Sequence, residues 1–381
     1  MAENRTLQEN VALFKACTRM EKTDRIPNLA NFFTWKFLDC DYPLDQVLTD
    51  YDLMAKVLQE FQDRYQFDAY SDLGSRNQYK VMQALGDDIA YDIDIETGAV
   101  NYKENTIMLG TEYDEYMTNK PALMWKMFKR KYPNLTKGQF VQAIGAMMEF
   151  GQRTGQIQQE FIARNGTPMT LPDQKFMVMF PVEHFFNYYR GVRELSLDMR
   201  KHKAKLKEAI NKDFEETVYP AFKQSLAEEN ECGIADYYIP LLAHSFMSVK
   251  QFEDFFWPQM KRVIDDIVAA NKTVYIFTES SMMRLCEFFE DIPKGHLIIH
   301  PELDDVVELR KRLPNACIAG GMKSHLLGTA KPQECADYAK YLLDTMGEGF
   351  IFSQDKMMSF RNDCTRENLL AVNEVVRNYR P

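Results

Sequence analysis

The chain has 381 residues, of which 45% are hydrophobic, and a formal net charge of −10. This length allows one large domain or two ordinary ones. The acidic balance and the lack of a basic stripe exclude a typical nucleic-acid-binding protein, and no apolar run is long enough to predict a membrane span. Seven scattered cysteines and a polar N-terminus favour a reduced, cytoplasmic protein without a signal peptide.

The first 75 residues alternate amphipathic segments with short apolar runs. Residues 4–24 and 49–65 have apolar side chains at helical spacing, which predicts two helices. Strand 1 is predicted at Ile26–Ala30 and strand 2 at Phe67–Leu73.

A different pattern follows strand 2. Ile89–Met108 alternates apolar and polar residues around Thr97-Gly98, which predicts an antiparallel hairpin. Two long helices are predicted next, over Pro121–Lys131 and Thr136–Arg164, with Thr136 as an N-cap. We interpret residues 88–165 as an insertion that forms a helical lid or a homodimer surface.

The rest of the chain repeats a strand–helix unit. Six further strands are predicted, at Phe176–Phe180, Ile234–Ile239, Val274–Thr278, Leu297–Ile299, Ala316–Ala319 and Gly349–Ser353. Eight strands, each followed by a helix, predict an α/β protein with a (β/α)8 TIM barrel fold. The alternative is an open doubly wound sheet, although no GxGxxG follows any strand. No linker is visible, so residues 1–381 are interpreted as one domain.

Polar residues follow strands 5 and 6, where a parallel barrel places its active site. Glu279 follows Val274–Thr278, and His300 follows Leu297–Ile299. Asp355 lies just beyond strand 8. We predict catalytic roles for these three residues. The predicted substrate contacts lie near other strand ends and are Asn31, Phe32, Trp35, Asp72, Tyr238 and Met322.

Short motifs along the chain resemble the uroporphyrinogen decarboxylase superfamily of barrels. They are Thr23–Pro27, Ser248–Pro258, Gly320–Met322, Leu326–Thr329 with Pro332, Gly349–Ser353, and Glu367-Asn368. The ordered set covers most of the chain and implies the family's barrel fold. It also implies one of two activities, which are cofactor-free decarboxylation of uroporphyrinogen and methyl transfer involving corrinoid proteins.

Two branches of this superfamily fit poorly. The decarboxylases carry an arginine motif after strand 1 that grips substrate carboxylates, whereas this chain has Asn31–Trp35 there. The coenzyme M methyltransferases bind zinc through thiolates after strands 5 and 8. Here those positions hold Glu279-Ser280 and Gln354–Lys356.

A third branch is more similar, namely the O-demethylating methyltransferases of anaerobes. Glu279, Ile292–His296 and Cys317–Gly321 resemble its motifs, with Ser280 in place of a glycine and Lys356 near a usual cysteine. The resemblance implies methyl transfer from a small methylated compound, such as a methoxylated aromatic, to a corrinoid carried by a partner protein.

The chemistry of the site stays open between two arrangements. Zinc held by Glu279 and His300, with Asp355 as the third ligand, would polarise the ether oxygen. Alternatively, Glu279 would act as a general acid if burial raises its pKa. Two other functions remain, a decarboxylase or lyase for another acid and a degenerate barrel that binds a corrinoid or tetrapyrrole.

Overall fold

A parallel sheet of seven strands forms the centre of the molecule. The computed structural model describes residues 5–74, 77–86, 91–102 and 106–381. The strands of the sheet are β1 (Asn28–Ala30), β2 (Ala69–Tyr70), β5 (Tyr237–Leu241), β6 (Val274–Thr278), β7 (Leu297–Pro301), β8 (Cys317–Met322) and β9 (Phe350–Gln354). Their order is β2-β1-β9-β8-β7-β6-β5.

Isolated parallel bridges connect the two edges of this sheet. Met169 bridges to Tyr70 in β2 and to Gly233, while Met177 bridges to Tyr238 in β5. The sheet therefore curls round on itself as a half-barrel, as a TIM-like barrel requires. The predicted α/β class and parallel sheet are confirmed, with seven regular strands in the sheet of the described residues instead of eight.

Helices surround the sheet. They are α1 (Leu7–Thr18), α2 (Trp35–Leu38), α3 (Leu44–Thr49), α4 (Tyr51–Tyr65), α5 (Tyr79–Leu85), α6 (Tyr113–Thr118), α7 (Lys120–Lys131), α8 (Lys137–Asn165), α9 (Pro181–His184), α10 (Gly191–Lys201), α11 (Lys203–Asp213), α12 (Tyr219–Ser225), α13 (Val249–Phe255), α14 (Trp257–Ala269), α15 (Val306–Arg312), α16 (Ser324–Thr329), α17 (Pro332–Met346) and α18 (Arg366–Asn378). Short 3-10 helices lie at Gln174–Phe176, Ala243–Phe246, Met283–Phe288 and Arg361–Asp363, and π-helices at Phe185–Arg190 and Phe214–Val218. Among the described residues, no helix combines the length and hydrophobicity needed to cross a membrane.

The predicted third strand, Phe176–Phe180, is wrong. Asp173 caps a 3-10 turn by accepting a hydrogen bond from the Lys175 backbone N–H at 3.0 Å. Pro181 then begins α9, because proline suits the first turn of a helix. Only Met177 and Val178 are left to bond with β5, which they do through single contacts to Tyr238.

The predicted hairpin is present, with shorter strands than the sequence indicated. Strands β3 (Tyr91–Ile93) and β4 (Val100–Tyr102) pair antiparallel, and Gly98 lies at their turn with a φ of +72°. Residues 89–90 and 103–105 of the predicted hairpin lie outside the described residues. The predicted N-cap at Thr136 is confirmed, since its hydroxyl accepts a hydrogen bond from the Gln139 N–H.

Two apolar layers enclose the sheet. Alternate residues of each strand face the helices or the barrel interior, because side chains of a strand alternate in direction. The interior layer contains Leu29, Tyr238, Tyr275, Phe277, Ile298, Cys317, Ala319 and Ile351, and Phe14 and Cys17 of α1 pack against it. Cys17 also donates a hydrogen bond to the carbonyl of Phe350, at the start of β9. Helix α1 therefore closes the N-terminal end of the strands and leaves the C-terminal end for a site.

Gly320 in β8 is required by close packing against His300. Its φ is +104°, and a Cβ at this position would lie 2.8 Å from Cδ2 of the His300 ring. We predict that Gly320→Ala lowers the free energy of unfolding by about 3 kcal/mol, from backbone strain and the clash together. Urea denaturation measures this change.

Gly347→Ala is the matched control. Gly347 also has a positive φ, of +62°, but no atom lies within 4 Å of its added Cβ. Its substitution should cost only the backbone strain, about 1 kcal/mol. Equal losses for the two variants would contradict the packing explanation.

Candidate active site

The parallel strands bring the predicted polar residues to one edge of the sheet. Glu279 follows β6, His300 lies near the end of β7, and Asp355 follows β9. Asn31 follows β1 at the same edge, because β1 is parallel to β9. The predicted residues therefore share one edge of the sheet, although their side chains have different environments.

His300 is fully buried and both of its ring nitrogens are hydrogen-bonded. Nε2 lies 2.8 Å from the carbonyl oxygen of Gln354. Since a carbonyl only accepts, Nε2 carries the proton, and Nδ1 of the neutral ring accepts from the Tyr275 hydroxyl. Burial lowers the pKa of His300 to about 4, so the ring is neutral at pH 7. This neutral ring connects β7 to β6 and β9.

The fold does not bring the predicted zinc ligands together with ligand atoms available for a metal. The two nitrogens of His300 are occupied, and Asp355 accepts hydrogen bonds from the backbone N–H groups of Ser324 and Lys356 at 3.1 and 2.8 Å. Glu279 is exposed. The described part of the chain contains no cluster of three or more His, Cys, Asp or Glu residues that could hold a metal. These residues do not fit a zinc ion.

Glu183 is the buried carboxyl of this edge, and sequence reasoning missed it. It lies in α9, and its carboxylate accepts hydrogen bonds from the backbone N–H groups of Leu242 and Ala243, just after β5, at 2.8 and 3.0 Å. Burial raises its pKa to about 8, and the nearby charge of Glu279 adds to the increase. Glu183 therefore holds a proton at neutral pH, whereas an exposed glutamate does not.

The sequence around Glu183 carries a pattern that is typical of a site residue, but the same pattern also has a structural interpretation. The residue follows an apolar run and Pro181, as Glu279 follows β6. However, an acidic residue just after a proline is also common in the first turn of a helix, where it complements the helix dipole. Only the packing of α9 against residues 242–243 shows that the carboxyl is buried at the edge of the barrel.

His244 lies next to these residues in the 3-10 helix after β5. It is fully buried, and neither ring nitrogen has a hydrogen-bond partner among the described residues. Burial, helped by the positive charge of Arg284, lowers its pKa to about 3. His244 is therefore a neutral ring beside the backbone groups that hold Glu183.

Two buried amides lie at the ends of β1 and β9. The Asn31 backbone N–H donates to Oε1 of Gln354 at 2.8 Å. The side-chain donors of both residues, Asn31 Nδ2 and Gln354 Nε2, have no acceptor among the residues that the structure describes. Both donors are candidates to bind a substrate oxygen, and the substrate role of Asn31 stays a prediction.

The predicted aromatic contacts belong to the core. Phe32 packs against Trp35 and against Phe61 of α4, with ring centroids 5.3 Å apart in each pair. The indole N–H of Trp35 donates to the carbonyl of Cys364 at 3.1 Å. Both rings are almost fully buried, so the structure shows them stabilising the start of the barrel instead of presenting a face for substrate.

The remaining predicted contacts also have structural partners. Asp72 lies 3.4 Å from the fully buried ammonium of Lys36, which donates to the carbonyls of Phe32 and Phe33. Tyr238 stacks on Tyr275 inside the barrel, with centroids 5.9 Å apart.

Met322 ends β8 at the same edge. Its side chain is fully buried in the layer between the sheet and the helices. Its backbone carbonyl accepts a hydrogen bond from the Asp355 N–H at 2.9 Å. In this structure Met322 therefore packs in the core and helps to position the loop after β9.

Comparisons with known proteins agree with this architecture. The sequence model of the uroporphyrinogen decarboxylase family, URO-D, matches residues 187–379. No curated protein matches the chain. Among 27 matching solved chains is a methyltransferase from Methanosarcina mazei, with a TM-score of 0.58, 13% sequence identity and 98% coverage of each chain. At this identity the likeness shows a shared fold.

The buried neutral His300 predicts an acid-sensitive fold. Its folded pKa of about 4 lies below the unfolded value near 6.5, so the unfolded chain binds more protons between these pH values. Stability should therefore fall as the pH falls from about 6.5 to 4. His300→Gln can retain the donor to Gln354 without this ionisation, and its stability should depend less steeply on pH in that window. Urea denaturation between pH 4.5 and 7 measures both slopes; identical slopes would contradict the assignment.

Proposed function

The chain belongs to the uroporphyrinogen decarboxylase family, and from this premise we propose that it is a methyltransferase. The proposed reaction moves a methyl group from a small methylated compound, most simply a methoxylated aromatic, to a corrinoid protein. The neighbouring Methanosarcina fold supports the architecture, because a methyltransferase uses the same fold over its whole length. The proposal depends mainly on the carboxyl pair of Glu183 and Glu279.

Cleavage of a methyl ether leaves an oxygen that must gain a proton. The corrinoid of the partner supplies the nucleophile that accepts the methyl group, so this chain need supply no nucleophile of its own. Its task is to bind the ether, orient it and protonate the leaving oxygen as the carbon–oxygen bond breaks. The product is then a neutral phenol or alcohol.

The carboxyl pair has the properties of such an acid. Glu183 is buried and loses its proton only near pH 8, partly because Glu279 is close enough to repel a second negative charge. A carboxyl group that keeps its proton up to about pH 8 can donate that proton at neutral pH. Glu279 is exposed just after β6, whereas Glu183 is fully buried. We assign to this pair the role of the general acid, which donates a proton to the substrate oxygen.

The side-chain amide donors at the ends of β1 and β9 suit a substrate that carries an oxygen atom. Asn31 Nδ2 and Gln354 Nε2 can donate to a methoxy or phenolic oxygen without adding charge. By contrast, the segment after β1 has no arginine, and its Lys36 is already bound to backbone carbonyls. An eight-carboxylate tetrapyrrole would lack its charge partners here.

A direct assay tests the function. The purified protein is mixed with a Co(I) corrinoid protein and a set of methoxylated aromatics, and the corrinoid spectrum and the phenol product are followed together. We expect a spectral change with stoichiometric demethylated product for at least one donor. Carbon dioxide release from an acid without corrinoid would instead indicate a decarboxylase or lyase.

Glu183→Gln should lower the turnover number by about 100- to 10,000-fold, the usual contribution of a positioned general acid. The glutamine oxygen can still accept from Leu242 and Ala243, but the side chain cannot release a proton. Wild-type activity should fall as the pH rises through about 8, where the pair loses its proton. Steady-state kinetics between pH 6 and 9 measure both effects.

Glu374→Gln, an exposed glutamate of α18, is the matched control and should keep wild-type turnover.

Stability provides an independent check of the Glu183 pKa. Because its folded pKa exceeds the unfolded value near 4.5, the wild type should lose stability as the pH rises towards 8, and Glu183→Gln should lose less. Full activity of Glu183→Gln would exclude the proposed acid.

A further inference from the structure

Two cysteines that are 300 residues apart in the chain meet at the N-terminal end of the strands. Cys17 lies in the last turn of α1, and Cys317 is the first residue of β8. Both side chains are buried, and their Sγ atoms lie 4.0 Å apart. A single buried cysteine often serves only as a small apolar residue of the core. Two sulfur atoms in contact can also react with each other.

A partly buried arginine lies beside this thiol pair. Arg310 of α15 donates hydrogen bonds to the backbone carbonyls of Ala316 and Gly349, and its charge interacts with both sulfur atoms. Its Nε is buried and has no acceptor among the residues that the structure describes. A positive charge with an unpaired donor favours a nearby thiolate, which is the reactive form of cysteine. The same charge disfavours a metal cation at the pair.

The packed position of α1 protects the pair. The contact with the Cys317 thiol and burial raise the pKa of Cys17 well above its usual range, although the charge of Arg310 opposes this shift. At neutral pH Cys17 therefore keeps its proton, and at 2% exposure it is out of reach of an oxidant. Residues 19–27, which join α1 to β1, form neither helix nor strand. Helix α1 can therefore open locally without disrupting the sheet.

We propose that Cys17 and Cys317 form a disulfide when a small-molecule disulfide oxidises the protein. While α1 is open, the thiolate of Cys317 remains on β8 beside Arg310. It attacks one sulfur of the oxidant, forms a mixed disulfide and releases one thiol. Cys17 then attacks the Cys317 sulfur and releases the second thiol. The two protein thiols are oxidised, the oxidant is reduced to two thiols, and these take up the two protons.

The bond requires little movement and has a clear consequence for stability. The sulfur atoms, 4.0 Å apart, must approach by about 2 Å to reach the length of a disulfide bond. The bond would join α1 to β8 across a long segment of chain, and such a cross-link strongly restricts the unfolded state. The pair lies at the opposite end of the strands from Glu183 and Glu279. The proposal is therefore independent of the proposed methyl transfer.

Peptide mapping tests the bond. The purified protein is incubated with glutathione disulfide, unfolded with N-ethylmaleimide and digested for mass spectrometry. We expect a linked pair of peptides that contain Cys17 and Cys317. The thermal unfolding midpoint should rise by about 5 °C, because the unfolded chain is restricted, and dithiothreitol should reverse the increase.

A matched pair of serine variants identifies the thiols. In Cys17→Ser the hydroxyl can still donate to the Phe350 carbonyl, as the thiol does, so the variant should fold. Its linked peptides and its increase in midpoint should both be lost. Cys335 is also buried and donates to a backbone carbonyl, that of Leu326. Cys335→Ser is therefore the control and should keep both effects. A different pairing, or no linked peptides in the wild type, would overturn the proposal.

Two further measurements test the route to the bond. Arg310→Gln should slow disulfide formation by about tenfold, because the thiolate loses its neighbouring charge. Arg312→Gln, at an exposed position of the same helix, should keep the wild-type rate. Hydrogen exchange should show α1 opening more often than β8. Equal rates for the two arginine variants would overturn the role of Arg310, and an α1 that exchanges as slowly as β8 would overturn the opening step.

Discussion

The hydrogen bonds of the buried His300 hold the C-terminal edge of the barrel together. The ring lies between the hydroxyl of Tyr275 in β6 and the carbonyl of Gln354 in β9, and Gly320 of β8 leaves the space that it occupies. Burying a polar ring costs free energy unless its donor and acceptor are both satisfied. Four strands therefore take their relative positions from one neutral side chain. The same bonds position Gln354, whose amide supports the backbone of Asn31.

At this edge of the barrel, burial gives two glutamates different environments. Glu279 is exposed at the end of β6, whereas Glu183 is enclosed between α9 and the segment after β5. The same side chain is thus a charged surface group in one position and a protonated acid in the other, because desolvation penalises the charged form. The proposed acid chemistry requires no unusual residue, only an unequal environment for two identical ones.

Sequence reasoning predicted the strands of the sheet more accurately than the environments of the side chains at their ends. Strand β6 was predicted with its observed ends, since Val274–Thr278 is a continuous apolar run. Glu279 was predicted from its place after that strand. The sequence did not predict that both ring nitrogens of His300 are hydrogen-bonded, because their partners Tyr275 and Gln354 lie far apart in the chain. Likewise, the burial of Phe32 and Trp35 is set by contacts with α4 and the loop after β9. Long-range packing decides which polar residues of a strand end remain available.

The end of the π-helix at Phe185–Arg190 separates the placement of Glu183 from that of α10. Gly191 follows it with a φ of +68° and a ψ of 179°, which is not a helical conformation. Helix α10 therefore starts in its own direction, and Leu195 and Met199 face the core independently of how α9 places Glu183. Any side chain with a Cβ at position 191 would strain this junction.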